Sequence, residues 1–107
     1  MFNQRDIVLL PFPYSDLTGA KLRPALIISN KKLNISEDRI CCLITSNEPK
    51  NDCILIDSIE EGKLPFKSWI KPHRLFTINE KIIKRKICTI TESFHKSIIS
   101  NINDYIK

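Results

Sequence analysis

Arg5-Asp6-Ile7-Val8-Leu9-Leu10-Pro11-Phe12 and Lys21-Leu22-Arg23-Pro24-Ala25-Leu26-Ile27-Ile28-Ser29 are two apolar runs separated by a polar loop, and their reading decides the fold. Ile7–Phe12 and Ala25–Asn30 carry aliphatic side chains bounded by turn formers, the pattern of strands. Between them, Pro13-Tyr14-Ser15-Asp16-Leu17-Thr18-Gly19-Ala20 holds Pro, Asp and Gly, which predicts a loop and not a helix. That loop closes on Arg23-Pro24. The proline restricts the backbone of Arg23 to extended conformations, so the guanidinium leaves the loop in a set direction at the rim of a sheet. Its planar fork of donors matches a phosphate and stays charged at any working pH. The competing role is an ordinary surface arginine at a strand start.

Working outward, Ile40–Thr45 predicts a third strand and Cys53–Asp57 a fourth, joined by Ser46-Asn47-Glu48-Pro49-Lys50-Asn51. Glu60–Pro65 is a turn region. Ser68–Leu75 reads as extended, with Pro72 confining it to an edge or a bulge. Ile82–Ile90 is apolar at both ends with Lys84-Arg85-Lys86 in its middle, as in a strand with one solvated face. The tail changes period: Phe94, Ile98, Ile102 and Tyr105/Ile106 recur at spacings of three and four, an amphipathic helix. Thr91 is its N-cap, and Glu92 suits the dipole in the first turn. His95 falls beside that stripe and is expected in solvent. With 107 residues, one domain spanning 1–107 is expected, mostly β with a C-terminal helix packed on the sheet.

The net charge of +5 and pI near 9.1 are unevenly distributed. Residues 1–36 carry a net of +3, residues 37–62 a net of −5 and residues 63–107 a net of +7. Separate basic and acidic faces follow, and a basic face suits a polyanionic partner. No apolar run approaches the roughly 20 residues that a membrane helix needs, and no signal-peptide cleavage pattern follows Met1–Asp6. Cys41, Cys42, Cys53 and Cys88 form no Cys-x-x-Cys pair and read as buried free thiols, which points to a reducing cytoplasm. Cys41 and Cys42 are adjacent and would face opposite sides of a strand. The only glycines, Gly19 and Gly62, build neither a P-loop nor a dinucleotide fingerprint. There is no His-Glu-x-x-His and no nucleophile elbow. The expected chemistry therefore runs on side chains, with no cofactor and no metal.

Thr45 and Ser46 end the third strand, where their hydroxyls either donate to a phosphate oxygen or hold the turn. His73 and His95 offer an acid–base pair that titrates near neutral pH. Phe12 reads as core, or as a ring for base stacking; Tyr14 is the more exposed aromatic. Lys84-Arg85-Lys86 is a solvated strand face or an extension of a phosphate track.

Arg23-Pro24, Ile44-Thr45-Ser46 and the segment Ser68–Ile78 with its Leu75-Phe76-Thr77 occur in this order and spacing. Followed by Ile83–Ile87 and the final helix, they make nearly the whole chain resemble the MazF/PemK family of toxin endoribonucleases. The resemblance implies a small, partly open β-barrel of the Src-homology-3-like kind, shared with CcdB, carrying a C-terminal helix. It implies sequence-selective, metal-independent cleavage of single-stranded RNA by attack of the ribose 2′-OH, leaving a 2′,3′-cyclic phosphate and a 5′-OH. Arg23 and Thr45, with Ser46, are then catalytic, and Tyr14, Ser15, Asp16, Lys21, His73 and Arg85 are expected to bind substrate. It further implies a type II toxin that stops translation and growth, a homodimer, and a cognate antitoxin whose acidic tail enters the RNA groove. Two positions depart from the pattern: the family usually has Gly where Arg5 stands, and often an acidic residue where His73 stands. The alternatives are a CcdB-like gyrase inhibitor that works by protein contact, or an RNA-binding module without activity.

Overall fold

The two apolar runs pair with each other. β1 (Asp6–Pro13) lies antiparallel to β2 (Ala20–Ile27), in register from Ile7↔Leu26 to Pro13↔Ala20. The structure, a computed structural model, describes residues 1–13, 20–49 and 52–107. β2 starts at Ala20 instead of Ala25 because pairing with β1 continues through Lys21 and Leu22. It stops at Ile27, since Asn30 turns the chain into a short helix, α1 (Lys31–Asn34), by accepting from the Lys32 amide.

β3 (Asp38–Thr45), β4 (Ile54–Leu55), β5 (Ile59–Gly62), β6 (Trp69–Asn79) and β7 (Arg85–Ile90) complete one sheet in the order β4-β6-β3-β2-β1-β7-β5. All of its pairings are antiparallel. With β4 and β5 as its edges, the curled sheet forms the partly open barrel that the sequence predicts, and α2 (Glu92–Ile106) packs on one face. Two segments differ from expectation. Ile59–Gly62 is a strand where a turn is predicted: it pairs with β7, and at Gly62 (φ 82°) a Cβ would meet the Ile87 carbonyl oxygen at 2.7 Å. Ile82 belongs to a 3₁₀ turn, Glu80–Ile82, capped by Asn79, so the last strand begins only at Arg85.

Consecutive side chains of a strand go to opposite faces, and this divides the core. Ile7, Leu26, Cys42, Ile44, Ile70, Cys88 and Ile90 meet Ile98 and Ile102 of α2 on the helix-side face. Val8, Leu10, Ala25, Ile27, Cys41 and Ile83 form a second cluster on the other face, flanked by Phe12, Phe76 and Ile78. Each fully buried aliphatic side chain contributes about 1.5–3 kcal/mol, so neither face is dispensable. The adjacent cysteines do point to opposite faces, and burial pushes both thiols up to about 12.

Three polar features hold this frame. Arg39 is wholly buried and donates to the carbonyls of Phe2, Ser36 and Asp38 and, at 2.8 Å, to Glu80. It thereby ties the N-terminus to the start of β3 and to the 3₁₀ turn. Arg5, where the family pattern has glycine, adopts φ 78°, the left-handed region that favours glycine. Its guanidinium donates to the Ile90 carbonyl at 3.0 Å and to Glu60 at 3.2 Å, which offsets that strain. On α2, Thr91 caps the helix as predicted, accepting from the Phe94 amide. His95, however, is buried at 7% exposure, a correction to the expected solvated position. The reason is its spacing: His95, Ile98 and Ile102 recur at three and four and share the buried face, whereas Tyr105 and Ile106 are exposed. Among the described residues the His95 Nε2 finds no hydrogen-bond partner; burial, and secondarily Arg5, hold the imidazole below its ordinary value.

Candidate functional site

Arg23 sits on β2 opposite Leu10 of β1, two residues before the β2–β3 pair Ala25↔Leu43. Strand alternation puts Arg23 on the same face as Ala25, away from α2. There it lines a cleft of about 460 Å³ together with Phe12, Leu43, Lys71, Arg74, Leu75 and Phe76. Phe12 and Phe76 meet edge to face, with ring centroids 5.1 Å apart, and both flank the outer core. This aromatic cleft thus has an apolar wall with two rings and three cations. Among the described residues, no carboxylate lines it.

Pro72 decides how two of those cations arrive. Leu43 pairs with Lys71 and the neighbouring Cys42 with Leu75, so Pro72, His73 and Arg74 bulge out between two consecutive β3 residues. A proline has no amide to give the ladder, and a bulge is where a strand tolerates it. The Lys71 carbonyl accepts from the buried Cys42 thiol at 2.9 Å. The bulge brings Lys71 and Arg74 to the rim of the cleft that Arg23 lines. His73 is exposed beside them, its ring centroid 6.0 Å from that of Tyr105.

The other expected site residues divide. Thr45 ends β3 opposite Trp69 and is half-buried; its Oγ1 accepts from the Asn47 amide at 3.2 Å, which holds the turn. By alternation Thr45 shares the face of Leu43 and Arg23, although it is not part of the aromatic cleft's lining. Ser46 turns the other way. It lines a second cleft of about 580 Å³, with Lys21, Arg85, Leu9, Leu22, Pro24 and the segment Lys63–Phe66. Tyr14, Ser15 and Asp16 lie outside the described residues. In the basic run of β7, Lys86 bonds to Glu61 at 2.9 Å with Asp6 at 3.9 Å; both raise its pKa, the Glu61 bond most, and fasten β7 to β5 and β1. Lys71 and Arg74 are absent from the sequence-level expectation. The signal was present in Lys71-Pro72-His73-Arg74, because a proline inside a strand marks the bulge that turns its neighbours outward.

Residues 3–106 match the family described as PemK-like, MazF-like toxins of type II toxin–antitoxin systems. The chain belongs to this family. Solved structures share its fold. A chain of the MazE–MazF complex from Deinococcus radiodurans aligns at TM-score 0.78 and 13% identity, covering 98% of this chain and 95% of that one. The toxin MazF-mt6 of Mycobacterium tuberculosis aligns at TM-score 0.73 and 19% identity, covering 94% of each chain. An endoribonuclease in complex with its cognate antitoxin, from Mycobacterial species, aligns at TM-score 0.71 and 13% identity over 97% of this chain and 93% of that one. Among curated proteins, none matches this chain. In this MazF-like toxin, a concavity that joins three cations to two aromatic rings lies where the Arg23-Pro24 step meets the β6 bulge.

Proposed function

We propose that this MazF-like toxin is an endoribonuclease that takes single-stranded RNA into the aromatic cleft and cuts it without a metal. The observation that carries the reading is the convergence of Arg23, Lys71 and Arg74 around Phe12 and Phe76. Cations meet the phosphates of an unpaired strand, and rings stack on its bases at about 1–3 kcal/mol each. In the reaction the ribose 2′-oxygen forms a bond to the adjacent phosphorus and loses its proton to solvent or a nearby base. The bond from phosphorus to the 5′-oxygen breaks, and that oxygen takes up a proton. The products are a 2′,3′-cyclic phosphate and a 5′-OH.

Arg23 is assigned the equatorial oxygens of the phosphorane, where charge develops, and Thr45 a second donor on the same face. Lys71 and Arg74 hold the flanking phosphates. The guanidinium of Arg23 stays protonated and is a poor proton acceptor, so the identity of the base is tested with His73, whose ring stands 6.0 Å from Tyr105 of α2: a pH–rate limb that vanishes in His73→Ala would assign it the role. Similar structures that hold an antitoxin support a cognate antitoxin partner for this chain. A homodimer in the cytoplasm completes the proposal; no helix among the described residues is long and apolar enough to cross a membrane.

The test is incubation with a long unstructured RNA in EDTA, followed by mapping of the ends. Fragments with 5′-OH and cyclic-phosphate ends are expected. Intact RNA, with or without gyrase inhibition, would overturn the reading.

A further inference from the structure

The row of side chains that carries Arg23 and Thr45 continues past the aromatic cleft. Both residues lie two positions beyond the Ala25↔Leu43 pair, in the same direction along the ladder. Thr45 in turn pairs with Trp69 of β6, and Trp69 with Leu55 of β4, so these side chains share one face. Ile70 belongs to the helix-side core, which by alternation sends Trp69 and Lys71 together to the opposite face, the one that Arg23 lines. Trp69 is half-buried, and the ammonium of Lys67 stands over its ring, 5.7 Å from the centroid. Lys67 itself is exposed, and Leu55, 38% exposed, carries the apolar surface on to the sheet edge. The chain thus holds its only tryptophan partly open to water, next to a hydroxyl assigned to the chemistry and under a cation. The chemistry proposed above makes no use of that ring.

We propose that Trp69 and Lys67 form a stacking subsite for the RNA base that flanks the scissile phosphate, on the side of Thr45 away from Arg23. The proposal rests on Arg23 and Thr45 gripping that phosphate. Neighbouring strands lie about 4.8 Å apart, so Trp69 is one strand from Thr45 and within a single nucleotide of a phosphate held there. A solvated ammonium over a ring is held more weakly than a stacked base. The base therefore takes the ring face, and the displaced Lys67, on its flexible four-carbon stem, meets the phosphate of the same nucleotide. Every base has a flat face, so this subsite adds affinity and register without choosing the sequence. Phe12 and Phe76, on the far side of Arg23 from Trp69, leave the two stacking surfaces on either side of the bond that breaks.

Because Trp69 is the only tryptophan, its fluorescence reports on this subsite alone. The probe is a single-stranded oligonucleotide of mixed sequence made entirely of 2′-deoxy residues, which lacks the attacking hydroxyl and is bound without being cut. Its titration should quench Trp69, whereas inorganic polyphosphate, which has charge and no bases, should not. Trp69→Leu keeps an apolar side chain beside Leu55 and should weaken binding of the labelled oligonucleotide about tenfold, to a similar extent for different sequences. Trp69→Phe should restore most of that loss, and Lys67→Ala should lower the log–log salt slope by about 0.7. Oligonucleotide binding with Trp69 fluorescence unchanged, or equal quenching by polyphosphate, would overturn the proposal and leave the nuclease reading standing. A Trp69→Leu protein with parent affinity but an altered oligomeric state would overturn it too, since the ring would then be a contact between copies. Quenching by the oligonucleotide in a protein that fails to cut RNA would sink the nuclease reading and leave the subsite.

Discussion

On one face of the sheet Phe12 and Phe76 stand beside Arg23, Lys71 and Arg74; on the other, Leu9, Leu22, Leu64 and Ile87 lie with Lys63 and Arg85. Both clefts are positive, and charge alone would assign them one ligand. Their apolar parts separate them. Rings offer flat surfaces to bases, whereas branched aliphatic side chains offer holes to side chains. The two faces are also braced differently. The aromatic cleft depends on a bulge at Pro72 and on an edge-to-face ring pair, while the aliphatic cleft runs directly into the core under α2. One basic protein thus presents two surfaces, and only the pattern of apolar side chains tells them apart.

The sharpest way to break this comparison is Arg23→Ala. Removing a donor aimed at developing charge costs roughly 3–4 kcal/mol of barrier, so cleavage should fall about 10²–10³-fold in a protein that still folds. A folded Arg23→Ala protein cutting at the parent rate would remove the aromatic cleft from the mechanism. Phe12 comes next, because its ring both packs and faces the cleft. Phe12→Ala should lose about 1–3 kcal/mol of stability, less than a fully buried Phe, and a similar amount of RNA affinity. Phe12→Leu should recover the stability and not the affinity, which a paired denaturation and binding measurement reads directly.

Lys71→Ala and Arg74→Ala are expected to act more weakly and uniformly across RNA sequences. Each should lower the log–log salt slope of RNA binding by about 0.7, the value for one phosphate of a single strand. Lys63→Ala should leave that slope alone, and an equal change there would merge the two clefts into one track.

The smallest effect lies on the helix-side face and depends on pH. Burial and Arg5 depress the pKa of His95 below 6.5, opposed by the Ile28 carbonyl and Glu92. The unfolded chain therefore takes up this proton at higher pH than the folded one. The associated stability is present above the unfolded value and is lost as pH falls through it toward the folded pKa. Urea midpoints should drop on acidification from neutral pH, and His95→Phe should flatten that limb. Arg5→Gly should change stability at neutral pH by no more than about 1 kcal/mol, since relief of the left-handed backbone offsets two lost hydrogen bonds. It should also move the His95 titration upward, as followed by NMR. A parent midpoint that does not vary between pH 7 and 5 would show that His95 carries no such coupling.

Much of the fold was legible because its signals are local. Alternating aliphatic residues marked β1, β2 and β3, Thr91 marked the start of α2, and Pro72 marked a bulge. A stripe through Phe94 leaves His95 in solvent, but the buried face of α2 runs through His95, Ile98 and Ile102. Ile59–Gly62 is acidic and ends in glycine, which reads as a turn, and only pairing with β7 makes it the strand β5. Arg23 was legible through Pro24. For Lys71 and Arg74, Pro72 signals the bulge but not the cleft it opens on, which depends on a break in register between distant strands.

From the order of residues alone come the strand-rich domain, its capped final helix, the basic balance and an arginine directed by the proline after it; each depends on interactions spanning a few neighbours. Long-range pairing instead assigned the charges to places: β3 with β6 set Lys71 and Arg74 beside Arg23, and β1 with β7 set Arg85 opposite Leu9, across the sheet. Alternation sends adjacent side chains to opposite faces, so one residue of slip in a long-range pairing moves a cation from one cleft to the other. No local pattern fixes that register; the packed cores on the two faces do.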